Sequence, residues 1–132
     1  MKTDSKILAS ILAAAVWADG EYDELEKDFV AEVSEELGLA TLKAELESAI
    51  AATEKMSGEE LTESLEKAAE KVVEKEGVLA LCLQLMCADA FLSIDEVENF
   101  FVFADLLGVD EEAAQAILDE FIDEEEDLII EE

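Results

Sequence analysis

Apolar residues recur every three to four positions in seven segments of the chain, and this spacing puts them on one face of an α-helix. No stretch alternates apolar and polar residues for long enough to indicate a strand. The chain is therefore predicted to be all-α, with about seven helices in a compact bundle. The predicted helices cover about 4–18, 24–37, 42–55, 58–76, 78–89, 94–107 and 111–122.

Local signals mark the ends of these helices. Residues 57–60 and 93–96 both read S-x-x-E, the pattern of an N-terminal capping box, and 23–26 is the Asp version of it. Two further residues are candidate N-caps, and three glycines are expected to mark helix ends or breaks. These five are Thr41, Asp110, Gly38, Gly77 and Gly108.

The chain is strongly acidic, with 37 Asp and Glu against 8 bases and a net charge of −29 at pH 7. All the bases are Lys and lie before residue 76. Because 52% of the residues are hydrophobic, the chain is a folded domain and not a disordered acidic tail. The absence of His excludes imidazole bases and His-containing metal sites, and the negative surface repels nucleic acid and anionic membranes.

Residues 18–39 and 88–109 form an internal repeat with an offset of 70 and no gap. The matches fall at the turn and at the end of the second helix in each copy. We expect repeat halves at about 4–55 and 78–122, with the first and fifth helices paired at the centre across a pseudo-two-fold axis. The five identical pairs are Ala18/Ala88, Asp19/Asp89, Glu26/Glu96, Leu37/Leu107 and Gly38/Gly108.

Residues 1–122 are predicted to form one domain, followed by an acidic tail at 123–132. The tail is expected either to extend the last helix as a frayed turn or to be disordered, because the acids at 123–127 repel one another. A third option is that its apolar triplet, 128–130, docks on a partner.

The apolar run at 7–18 follows two lysines and imitates a secretory signal. It has a counterpart inside the chain, at the start of the second repeat half, so we expect a cytoplasmic protein. The longest apolar stretch, 77–88, is interrupted by Gln84 and falls short of the ~18–20 residues that span a bilayer. No direct membrane insertion is therefore expected.

Cys82 and Cys87 lie five residues apart in one apolar helix, roughly 140° apart around its axis, which excludes a disulfide between them. We expect buried thiols, with a redox pair or a soft-metal site as alternatives. Trp17 is expected to pack in the core or at its rim, with a partner contact as the alternative. Phe100, Phe101 and Phe103 cannot all face one way on a helix, so if that helix is only half buried, part of this run is expected to form a patch for dimerisation or partner docking.

The A-D-G-E turn at 18–21, with its capped Glu26 and the L-G-L end at 37–39, resembles the TerB-like family, named for bacterial tellurite resistance. The second copy resembles it too, although Ala90 replaces a glycine that is frequent in the family. The resemblance covers about 5–122. It implies a seven-helix fold with pseudo-two-fold symmetry, divalent-cation binding, and a part in stress responses to toxic oxyanions within larger assemblies near the membrane.

Carboxylates cluster at both turns of the repeat, and Ca²⁺ and Mg²⁺ prefer such oxygen ligands. An EF-hand is excluded because Val30 stands where its bidentate Glu is required. Glu26 and Glu96 are alternatively capping residues, since each falls at the third position of its helix. The candidate metal ligands are Asp19, Asp23, Glu26, Asp89 and Glu96.

These observations favour a non-catalytic acidic interaction module that binds a protein partner, either basic or membrane-associated. The alternative is a Ca²⁺ or Mg²⁺ sensor or buffer. A carboxylate-based enzyme and a nucleic-acid mimic are less well supported, because no cofactor or phosphate-binding motif accompanies the acids. No catalytic residue and no certain cofactor is assigned, and a homodimer stays open.

Overall fold

Seven α-helices contain most of the residues that a computed structural model describes, which are 4–19, 24–88, 91–125 and 128–130. Two short strands accompany them, β1 (Phe91–Leu92) and β2 (Ile129–Ile130). The predicted all-α class is confirmed. The helices are α1 (Ser5–Asp19), α2 (Glu24–Leu37), α3 (Leu42–Thr53), α4 (Gly58–Glu70), α5 (Lys75–Met86), α6 (Ile94–Leu107) and α7 (Glu111–Glu124).

Helices α1 and α5 form the centre of the protein. They pack on each other, and α1 also contacts α3, α4 and α6, while α5 also contacts α2, α6 and α7. Both are apolar around most of their circumference, so burying them on several sides removes the most apolar surface from water. The predicted repeat matches α1 with α5 and α2 with α6, so a two-fold axis would exchange the α1–α6 contact with the α5–α2 contact. Both contacts occur, and the symmetry itself stays a prediction.

Side-chain caps begin three of the helices as the sequence predicted. At α6 the capping box is complete: the Glu96 amide donates to Ser93 Oγ at 3.0 Å, and the Ser93 amide donates to Glu96 Oε1 at 3.0 Å. At α4, Ser57 Oγ accepts from the Glu60 amide at 3.2 Å. At α7, Asp110 accepts from the Ala113 amide at 2.8 Å. These bonds satisfy amides that have no partner within the helix.

Glycines terminate two helices in the left-handed conformation. Gly38 follows α2 with φ +67° and Gly108 follows α6 with φ +80°. A side chain at either position would be strained, so both predicted helix ends are confirmed.

Two predictions about helix ends were wrong. Thr41 does not cap α3 with its side chain, because its hydroxyl donates instead to Glu45 Oε1 one turn on. Gly77 marks no break and lies in the first turn of α5. The break comes earlier, between Glu70 and Lys75, where Val72 turns into the core.

The described part of the tail differs from two of its three predictions, a continued helix and disorder, at residues 128–130, while docking on a partner stays a prediction. Helix α7 ends at Glu124, and β2 then pairs in parallel with β1, in the register Phe91↔Ile129 and Leu92↔Ile130. The two strands lie far apart in the chain, so no periodic pattern in the sequence predicts their pairing. Among the described residues, none of the helices combines the length and apolarity that a membrane crossing requires.

Candidate functional site

The predicted metal ligands are only partly visible in the structure. Asp19 is the last residue of α1, Glu26 lies in the first turn of α2, and Glu96 lies in the first turn of α6. Asp23 and Asp89, together with the side chain of Asp19, lie outside what the structure describes. Within the described ranges, no three Asp, Glu or Cys side chains come together in an arrangement that would hold a metal ion. The cation site stays a prediction.

Glu26 and Glu96 occupy matching positions in the predicted repeat, and both are buried, with 4% and 7% of their surface exposed. For Glu96 the capping interpretation is confirmed, because its Oε1 accepts the Ser93 amide. That bond orients the carboxylate toward its own backbone. A buried carboxylate is costly unless polar groups stabilise it, and the cap supplies one of them. Glu96 is therefore first a structural residue.

The surface of residues 91–125, which we call the acidic half, is rich in exposed carboxylates and has no base of its own. Every Asp and Glu in this range is exposed except Glu96, and no basic residue occurs after Lys75. Helices α6 and α7 of this range contact each other, so the exposed carboxylates lie on two adjoining helices. Like charges held together in this way create a negative potential that attracts cations and basic groups.

Exposed isoleucines adjoin the acidic half. Ile129 and Ile130 of β2 are 63% and 43% exposed, and Ile94, two residues after β1, is exposed too. We call these three residues the isoleucine ledge. Leu92 of β1 is only 1% exposed, so β1 is anchored in the core while β2 lies outside it. The sequence signal for the ledge is the apolar triplet 128–130 within an otherwise acidic tail.

A second polar cluster, which was not predicted, lies beside a groove of about 510 Å³ between α1 and α3. Glu45 Oε1 accepts a 2.7 Å hydrogen bond from Ser5 Oγ and another from Thr41 Oγ1. These hydroxyls, Thr41 first and Ser5 second, hold the pKa of Glu45 below its ordinary value. The four-residue spacing of Thr41 and Glu45 was a usable signal, whereas nothing local points to Ser5.

The cysteines are buried thiols, as predicted. Burial raises the pKa of Cys82 to about 12, because a thiolate would lose its hydration in the apolar core. The thiol therefore stays protonated at neutral pH. A protonated, inaccessible sulfur is neither a nucleophile nor a metal ligand.

The aromatic residues divide between core and surface. Trp17 is 51% exposed at the end of α1, so it does not lie in the core; packing at the rim and a partner contact both stay predictions. Phe100 and Phe103 are buried, whereas Phe101 is half-buried with its ring edge-on to Phe100 at 5.3 Å. The helical geometry separates this run as predicted, and it leaves Val102 exposed.

The acidic half and the isoleucine ledge together offer charge and apolar contact on neighbouring segments of the chain. Carboxylates attract cationic groups, and exposed isoleucines lose unfavourable hydration when a partner covers them. The arrangement therefore suits a ligand that is both basic and apolar. In comparisons with known proteins, no family model, no curated protein and no solved structure shows a significant match to this chain.

Proposed function

We propose that this protein is a non-catalytic, acidic interaction module of TerB-like type that recruits basic protein partners through its acidic half. The observation that carries the proposal is the exposure of every Asp and Glu in 91–125 except Glu96, in a range without a basic residue. The proposal includes a cytoplasmic role in a stress response, as the TerB-like resemblance implies.

Carboxylates on neighbouring elements repel one another, and this repulsion raises the free energy of the protein. A fold that keeps them so close together gains when a cationic surface binds and neutralises them. The attraction acts over about one Debye length, which is about 8 Å at physiological salt. It speeds the encounter with a basic partner more than it strengthens the final complex.

The chemistry of the side chains supports a binding role more than a catalytic one. The chain contains no His to act as a base near neutral pH and no Arg to clamp a phosphate. Cys82 is a buried, protonated thiol, and Glu96 is used as a capping residue. Carboxylates are the most numerous charged groups of the chain, and their chemistry suits electrostatic binding.

The test is binding of a fluorescent oligolysine peptide, followed by anisotropy at low and high salt. We expect binding that weakens steeply as salt rises. The double variant Glu112→Gln/Glu120→Gln removes two exposed carboxylates from α7, and we expect it to weaken binding. The matched control is Glu63→Gln/Glu66→Gln, which removes two exposed carboxylates from α4.

If both double variants weaken binding equally, net charge alone is responsible and the acidic half has no special part. If the peptide does not bind at low salt, the proposed function is wrong.

A further inference from the structure

We infer that the outer edge of β2 accepts an extended partner segment in which apolar and basic residues alternate, so that the segment adds a third strand to the β1–β2 pair. The inference rests on the proposed function and specifies the partner's chemistry. It stands on three observations: the burial of the two strands, the free edge of the pair, and the charge that surrounds it.

The first observation is that β2 buries neither of its faces. Successive side chains of a strand point to opposite sides, so one of two neighbours normally faces the core. In β1 this holds, because Leu92 is buried. In β2 both Ile129 and Ile130 are exposed, which leaves apolar surface on both sides of the strand. An added strand would cover part of this surface with its own side chains.

The second observation is the edge itself. In the described part of the chain the sheet has two strands, with β2 at one side and the core-anchored β1 at the other. The outer edge of a terminal strand presents backbone N–H and C=O groups that another extended chain can pair with. Partners use this mode of recognition widely: main-chain bonds supply affinity, and alternate side chains supply specificity.

The third observation is the charge on either side of β2. All five residues at 123–127 are acidic, and so are 131 and 132. The acidic half, with its exposed carboxylates, leads directly into this segment. A second copy of the tail would bring like charges together, which disfavours self-pairing and makes a basic segment the complementary occupant.

Alternation follows from the same geometry. Ile129 and Ile130 point to opposite faces of the strand pair, so residues of one parity in an added strand lie beside Ile129 and residues of the other parity lie beside Ile130. Apolar residues at the first set cover Ile129, the more exposed of the two. Basic residues at the second set cover Ile130 with their methylene stems and keep their ammonium groups in water, where the negative charge attracts them.

The experiment uses the full chain and labelled peptides of about eight residues, followed by fluorescence anisotropy. A peptide alternating Lys and Val is compared with one alternating Lys and Ser, which has the same charge, and with one alternating Glu and Val. A fourth peptide repeats the Lys–Val sequence with every backbone nitrogen methylated, so that it cannot donate main-chain hydrogen bonds. We expect the Lys–Val peptide to bind at least about tenfold more tightly than the other three.

The variant Ile129→Asn/Ile130→Asn removes the apolar surface of β2, and we expect its affinity for the Lys–Val peptide to fall to that of the Lys–Ser peptide. The matched control is Val102→Asn, which changes an exposed apolar residue of α6 and should leave affinity within about twofold. Both variants change exposed side chains, so their melting temperatures should stay close to that of the parent chain.

The inference is overturned if the Lys–Ser or the methylated peptide binds as tightly as the Lys–Val peptide, or if the double variant binds like the parent chain. In those cases charge alone recruits the ligand, and the proposed function survives. If no lysine-containing peptide binds even at low salt, the proposed function falls together with the inference.

Discussion

Ser5 Oγ donates a 2.7 Å hydrogen bond to Glu45 Oε1, which joins the first turn of α1 to α3 across 40 residues of the chain. Thr41 donates to the same oxygen from the residue just before α3. Hydroxyl donors favour the charged form of a carboxylate, which is why the pKa of Glu45 is lowered. The interaction therefore links the protonation of one side chain to the packing of two helices.

The pH dependence of stability should reveal this link. A carboxyl group whose pKa is lowered in the folded state stabilises the fold above its unfolded pKa, here 4.5, and loses that contribution as pH falls through the folded pKa. Glu45→Gln should remove this contribution and flatten the pH dependence in the acid range. Urea denaturation between about pH 3 and pH 6 measures it.

Glu47→Gln is the matched control, since it makes the same change at an exposed position of the same helix. It should retain the contribution of Glu45, so the difference in stability between the two variants should shrink as pH falls through the folded pKa of Glu45. If the free energy of unfolding of Glu45→Gln depends on pH in the same way as that of the parent chain, the hydrogen bonds from the hydroxyls to Glu45 do not contribute to stability.

The capping box of α6 should be worth more than the single cap of α4. Ser93→Ala removes the acceptor for the Glu96 amide and should lower the free energy of unfolding by about 1 kcal/mol. Ser57→Ala removes the corresponding bond at α4, which is longer at 3.2 Å, and should cost less. Chemical denaturation measures both, and an equal or larger loss for Ser57→Ala would contradict the ranking.

Replacing glycine by alanine should have opposite signs at two helix ends. Gly108→Ala places a side chain at φ +80° and should destabilise the fold by about 1 kcal/mol. Gly58→Ala lies at the first residue of α4, where an added Cβ meets nothing within 4 Å, and should be neutral or stabilising by up to about 1 kcal/mol. Thermal melts distinguish the two, and stabilisation by Gly108→Ala would refute the left-handed conformation.

Ser34 on α2 has a buried hydroxyl oxygen that no other described group hydrogen-bonds. Ser34→Ala should therefore be neutral or stabilising by up to about 1 kcal/mol, because it removes a polar atom that is desolvated without compensation. The matched control is Thr53→Val, which loses a 2.7 Å bond to the Ile50 carbonyl and should destabilise the fold. Destabilisation by Ser34→Ala in the same denaturation assay would show that the hydroxyl has a partner in solution.

Cation binding at the two turns also has a direct test. If Asp19 and Asp89 ligate Ca²⁺ or Mg²⁺, either ion should raise the melting temperature through linkage of binding to folding. Asp19→Asn/Asp89→Asn should abolish that rise. Sodium chloride at matched ionic strength is the control, and an equal rise with it would mean that charge screening accounts for the whole effect.

The elements that the sequence predicted well are those with local causes. Helices α2 and α6 begin and end at the predicted residues. A left-handed glycine ends both, and a capping box begins α6, and these signals act within one turn of the helix end. The central position of α1 and α5 was predictable because both are apolar around most of their circumference. The capping role of Glu96 was predictable because Glu96 lies three residues after Ser93, in the S-x-x-E pattern of a capping box.

The elements that were missed depend on segments far apart in the chain. β1 and β2 are two residues each, too short to show a period, and they pair only because the fold brings them together. Ser5 approaches Glu45 only because α1 packs on α3. The end of α4 is decided by the burial of Val72 and not by Gly77, since an isolated glycine is tolerated in a helix at modest cost.

The sequence by itself determined the helical class, the places where most helices begin and end, and the excess of negative charge, because these follow from side-chain chemistry and spacing within a few residues. Only the tertiary structure decided which polar and apolar groups share a surface. It exposed Trp17, buried Glu26 and Glu96, and laid the isoleucines of β2 beside the acidic half. The physical reason is that exposure depends on what a side chain packs against, and its neighbours in space come from distant parts of the chain.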